Sequence, residues 1–361
     1  MKKILIRGSN AKGAIPASFS AMKSLFLLDL EDNAITGELP KELSLLTSLV
    51  SLNLNDNRIS GPIDPIVGMS DLQFLSLDDN FFGGVIPEGI TKLTRLHTLT
   101  LSDNHISGTI PERISAMVGL KYMELQLNRF EGAIPPSVGQ FSKLVTLNLR
   151  NNNFTSTIPE TIGSLSLLTH LSLGANNLEG QIPDTFAGLT RLVALDLANN
   201  KFSGEVPDLQ TLENLNTIDL SDNPELGPTF PRFFSDIPRL EWVNIANTKI
   251  SGTFPEMMCR NSNLFFVNTT GANIMALDSE SLCECCSLRC FCAFEIERSS
   301  MRLFILIGSL SFVIICLAVV CLVLWRLIKK AKRAPETENP LLYDAKINDA
   351  DYCIVDTPIL E

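Results

Sequence analysis

The chain has 361 residues and a formal net charge of −11, with no basic stripe along it, so an electrostatic grip on nucleic acid is excluded. Its three histidines, His97, His105 and His170, stand in no recognisable catalytic arrangement, so no enzyme activity, cofactor or metal is expected. Six of its nine cysteines fall between Cys259 and Cys292, a clustering that calls for a local explanation.

The chain repeats internally. Taking the Asn that ends each LxxLxLxxN as a marker, the series runs Asn33, Asn57, Asn80, Asn104, Asn128, Asn152, Asn176, Asn200 and Asn223, in steps of 23 or 24 residues. Ser9 and Thr248 hold the same place at either end, which makes eleven units, and a faded twelfth puts Ala272 at the marker. A period of this length means stacked coils, each too small to bury its own apolar face, over residues 1–275.

Within a coil such as LLDLEDNAITGELP, the alternation of Leu28 and Leu30 with Asp29 and Glu31 is strand-like, with leucines inward and acids outward. The marker Asn follows where the chain leaves the strand, and a buried amide there can bond the backbone of neighbouring turns. Glycine recurs four residues after the marker, from Gly37 to Gly252, and only Ser156 breaks the column. Ile or Val and Pro follow, as in GAIP and GEVP, which suits a turning segment outside any ladder. An apolar arc then returns the chain through Phe19, Leu43, Ile90, Ile114, Val138, Ile162 and Phe186, which recur at one offset.

The pattern LxxLxLxxNxxxGxIPxxxxxL resembles the plant-type leucine-rich repeats of receptor-like proteins and receptor kinases, over about three quarters of the chain. The resemblance implies a leucine-rich-repeat solenoid with a curved, concave parallel β-sheet and an irregular or 3-10 convex side. It is specific for fold and uninformative about ligand, because the repeated residues are those the architecture consumes.

Positions between the strand leucines face the concave side. In the column where Ser or Thr is usual, Phe74, Tyr122, His170 and Trp242 appear, and exposed aromatics mark contact sites more often than stability. A ligand-binding patch is therefore expected over Phe74, His97, Lys121, Tyr122, Glu124, Gln126, Arg150 and His170. An evenly decorated sheet is the alternative.

The segment 256–298 carries Cys259, Cys283, Cys285, Cys286, Cys290 and Cys292. An even count at the last coils fits a disulfide-stapled cap over an otherwise open core, and the C-x-C-C-x3-C-x-C block resembles the caps of diatom leucine-rich-repeat proteins. Cys259 and Cys283 lie one full coil apart and are expected to pair, unless a shortened last coil brings Cys285 there instead. Four close cysteines could instead hold zinc, but the two CxxC pairs usual for such a site are not both present.

Leu303 to Trp325 is uncharged and long enough to cross a bilayer as one transmembrane helix. Arg326, Lys329, Lys330, Lys332 and Arg333 follow without an intervening acid, which places the tail 326–361 in the cytosol and the repeats outside. The sequons at Asn153 and Asn268 agree with a lumenal passage and glycosylation. The tail is expected to be disordered and is too short for a kinase; Tyr352 and Val355 fit a sorting motif. Met1 already falls inside a repeat, so the N-terminus reads as truncated, without signal peptide or polar cap.

Together these features predict a single-pass plasma-membrane protein, kinase-lacking and receptor-like. It would bind a peptide, protein or glycan on its concave face and signal, if at all, through a co-receptor or kinase partner. Passive adhesion or wall attachment, and a tail-anchored cytosolic scaffold, are the competing readings.

Overall fold

The leucine alternation closes each coil against the next because a three-residue strand cannot bury its own apolar side chains, whereas a stack of them can. In the computed structural model, residues 2–253, 258, 263–264, 266–275 and 291–293 are described, with Met275 and 291–293 described by backbone alone. Among the described residues, thirteen short parallel strands form one curved sheet, starting at Lys3–Leu5 and Leu27–Asp29 and continuing in strict sequence order. Adjacent strands pair in constant register, so that Leu28, Leu52, Leu75, Leu99, Met123 and Leu147 lie side by side and fully buried. A Leu buried this completely contributes roughly 1.5–3 kcal/mol.

The faded twelfth coil does form, with its strand at Phe266–Asn268. The sheet then continues one strand past residue 275, to Phe291–Ala293, within the segment expected to form the cap, where Val267 is the backbone partner of Cys292. The other five cysteines of the expected cap lie outside the described residues, as does the side chain of Cys292. The expected transmembrane segment 303–325, the tail 326–361 and the sorting residues Tyr352 and Val355 lie outside them too. Among the described residues, no helix is long and apolar enough to cross a membrane.

Each marker asparagine ties three turns together. The Asn128 Nδ2 donates to the carbonyls of Leu101 at 2.7 Å, Leu125 at 3.3 Å and Gln126 at 3.2 Å, while its Oδ1 accepts the Ile106 N–H at 2.9 Å. The same four bonds recur at Asn57, Asn80, Asn104, Asn152, Asn176, Asn200 and Asn223, so a buried amide stands wherever the strand ends and its backbone groups need partners. Two residues after the marker, Phe82, Phe130, Phe154 and Phe202 fill the interior, and Phe130 and Phe154 stack with ring centroids 6.1 Å apart.

The expected 3-10 convex side is present, and the flank carries strands in addition. Just after the marker, the described chain forms further parallel ladders on the flank, one of four strands that includes Ala34–Glu38 and Arg58–Gly61, one of six that includes Arg129–Gly132 and Asn153–Ser156, and one of two. The proline comes after each of these strands has ended, so its missing N–H costs the ladder nothing. The glycine sits inside the strand at positive φ, +82° at Gly37, and Ser156 adopts the same conformation at +69°. Short 3-10 helices such as Lys41–Leu45, Glu88–Lys92 and Asp184–Gly188 then carry the buried Leu43, Ile90 and Phe186 of the apolar arc.

Candidate ligand-binding face

Every coil presents four solvent-side positions to the sheet face. Two are the strand residues flanking the central buried side chain; the other two follow the next leucine and precede the marker. Across coils four to six they read Phe74, Ser76, Asp78, Asp79; then Thr98, Thr100, Ser102, Asp103; then Tyr122, Glu124, Gln126, Leu127. The last position of each coil is left-handed, with φ of 54° at Asp56, 55° at Asp79 and 49° at Asp103, a conformation that Asp and Asn tolerate better than most residues.

The eight patch residues all lie on this face or at its edge, in two groups. Phe74 is 39% exposed and Tyr122 40%, and the Phe74 and His97 rings meet with centroids 6.1 Å apart. Lys121 is exposed beside them, and its charge and that of Lys143, after burial, lower the pKa of His97. Glu124 is raised above its ordinary range by burial and by the charge of Asp78, against a hydrogen bond from Gln126. Two buried atoms in this group, His97 Nδ1 and Gln126 Oε1, have no hydrogen-bond partner.

Arg150 and His170 belong elsewhere. Arg150 pairs with Asp196, which also accepts the Ser172 hydroxyl at 2.7 Å. The His170 Nδ1 lies 2.8 Å from Thr169 Oγ1, and burial lowers its pKa.

The acids differ from expectation in one respect. Asp29 was expected to face solvent, yet it is only 4% exposed because the Arg7 guanidinium covers it and reaches Glu31 as well, at 3.5 Å. Asp78 accepts the Ser102 N–H at 2.6 Å and its hydroxyl, but burial still raises its pKa. Asp79 is pushed up to about 6 by burial and by the charges of Asp56, Asp103 and Asp78. This column of Asp32, Asp56, Asp79 and Asp103 escaped the sequence reading, because strand alternation stops before the left-handed residue. The one available signal was an acid immediately before four consecutive markers.

Of the two sequons, Asn153 is exposed, whereas the Asn268 Oδ1 accepts the Thr270 N–H at 3.1 Å and its hydroxyl at 2.8 Å.

One leucine rich repeat profile matches residues 1–59 and 142–202, and a second matches 71–93 and 95–117. The coils are leucine-rich repeats. No curated protein matches the chain. Among solved structures, a TDR receptor is similar with a TM-score of 0.72 and 24% identity, over 81% of this chain and 55% of that one. The Arabidopsis receptor kinase HAESA, in complex with the peptide hormone IDA and the co-receptor SERK1, gives a TM-score of 0.64 and 26% identity, over 76% of this chain and 50% of that one. An internalin of Listeria monocytogenes shares the fold at 20% identity and a TM-score of 0.63, over 82% of this chain and 88% of that one. The leucine-rich-repeat solenoid thus has the fold of plant receptor ectodomains, and the chain spans about half the length of the two receptor structures.

Proposed function

We propose that this leucine-rich-repeat protein recognises an extended peptide on the concave face of coils four to six, and that its role is recognition rather than catalysis. The observation that carries this reading is the coincidence, on three consecutive coils, of exposed Phe74 and Tyr122 with the unpartnered buried atoms His97 Nδ1 and Gln126 Oε1. Exposed aromatics supply contact area, and unpaired polar atoms have unmet hydrogen bonds that a ligand can complete. The similarity to the HAESA ectodomain, which was solved with a peptide hormone, supports a peptide over a glycan.

The uncharged stretch Leu303–Trp325 and the basic residues after it support a single-pass plasma-membrane protein with its repeats outside. On this reading, signalling would pass through partner chains. Peptides selected from a displayed random library on the full chain test the binding reading. They are expected to lose at least about tenfold in affinity with Tyr122→Ala and with Gln126→Ala. Selected peptides that bind both variants unchanged would refute it.

A further inference from the structure

The concave face of coils three to six has a floor and two unlike walls. On coils three to five the floor is the column Asn53, Ser76, Thr100, whose short side chains leave room for a second backbone above them, and Glu124 continues that column on coil six. One wall carries Phe74 and Tyr122. The other carries Asp56, Asp79 and Asp103, with Asp78 just inside it. No Lys or Arg occupies any of the four solvent-side positions on these coils.

Resting on the peptide reading above, we infer that this channel docks a cationic peptide lying extended across the strands, its Lys or Arg side chains against Asp56, Asp79 and Asp103 and its alternate apolar side chains against Phe74 and Tyr122.

The period of the two partners argues for it. An extended chain sends successive side chains to opposite sides, about 6.6 Å apart on each side, so one strand can meet an acidic wall and an aromatic wall at once. Coils stack at about 4.8 Å, so the three acids span about 10 Å, the reach of two alternate cationic side chains. Thr100 is only 9% exposed, and its hydroxyl, in the floor beside the Asp78 carboxylate, suits a peptide backbone passing above it.

The arrangement also favours a peptide over a metal ion. Among the described residues, no three His, Cys, Asp or Glu side chains converge closely enough to hold an ion. The acids form a ladder, which suits separate point charges on a chain. The pKa of Asp79 is raised first by burial and then by the charges of Asp56 and Asp103, and that repulsion is relieved when cations lie between the acids.

The test uses the full chain in a neutral detergent and a fluorescent heptapeptide alternating lysine with leucine, beside counterparts carrying glutamate or citrulline for lysine. The lysine peptide is expected to bind and the other two to bind at least about tenfold more weakly. The triple variant Asp56→Asn, Asp79→Asn, Asp103→Asn should lose at least about tenfold in affinity for it. That variant keeps the fold, because Asn151 and Asn199 already hold the same left-handed position in this chain. The control Glu88→Gln, Glu160→Gln, Asp184→Asn makes an equal charge change on the 3-10 helices and should leave binding unchanged. Equal loss in both triple variants, undiminished binding to the first, no binding of the lysine peptide, or its displacement by micromolar calcium would each overturn the inference. Binding of the glutamate or citrulline peptide that depends on Tyr122 would overturn the cationic preference while leaving concave-face recognition standing.

Discussion

The Arg150 guanidinium bonds the Asp196 carboxylate across the whole coil between them, passing over Gly174. A Cβ at Gly174 would fall 2.5 Å from Asp196 Oδ1 and 2.6 Å from Arg150 Nη1, so the absence of a side chain there lets the pair meet. Both groups are the ends of flexible side chains and can move aside. Gly174→Ala should therefore separate them at a cost of about 1 kcal/mol or less, since partly exposed ion pairs contribute about 0–1 kcal/mol. A double-mutant cycle of Arg150→Ala with Asp196→Asn checks this: coupling present in the parent should vanish in the Gly174→Ala background.

Asn128→Ala should be far more damaging. It strands three carbonyls and one N–H that the amide now serves, in a place that water cannot reach without opening the coil. At about 1–3 kcal/mol for each buried group left unsatisfied, partly offset by local relaxation, a net loss of about 2–4 kcal/mol is expected. Denaturant unfolding monitored by circular dichroism measures it, and a loss below that of Gly174→Ala would contradict the ladder's role.

Ser156→Gly should stabilise. Ser156 holds a φ of +69° where the equivalent residues of other coils are glycine. Relief of left-handed strain favours the variant by about 1 kcal/mol, and the added freedom of the unfolded chain takes back part of that. A rise in Tm of one to a few degrees is the expected reading, on the order of ΔΔG divided by the unfolding entropy.

The acidic wall gives two pH dependences of opposite sign. Asp79 has a folded pKa of about 6 against an ordinary 3.8, facing Asp56, Asp78 and Asp103. A raised folded pKa means the folded chain binds more protons between those values, so this group's contribution to stability falls as pH rises from about 4 to about 6 and is level above. Asp79→Asn should flatten that fall in a Tm profile. Binding of a cationic peptide needs the ionised acid, so its affinity should instead rise through about pH 6, and less so in the variant.

If the repeats lie outside the cell, the exposed Asn153 should carry a glycan. Glycosidase treatment of the expressed chain should shift its mobility, and Asn153→Gln should reduce the shift. Protease on intact cells should digest the repeats; protection there, with digestion from the cytosolic side of sealed vesicles, would reverse the topology.

Much of this architecture is legible in one dimension, because a solenoid repeats its local rules. The marker interval sets the coil, the alternation of Leu28 and Leu30 with polar neighbours sets which side is buried, and the column from Gly37 to Gly252 marks a left-handed backbone. Each follows from a residue and its near neighbours. What required the tertiary structure were contacts between coils. The ladders on the flank, Asp29 buried beneath Arg7, Arg150 bridged to Asp196, and the alignment of Asp56, Asp79 and Asp103 all join residues more than twenty positions apart. Such contacts depend on how coils of 23 and 24 residues stay in register, and on which way a long side chain leans once its neighbours are in place. A periodic sequence lists the columns of the face; stacking decides which members of those columns meet, because the coil spacing of about 5 Å is within side-chain reach.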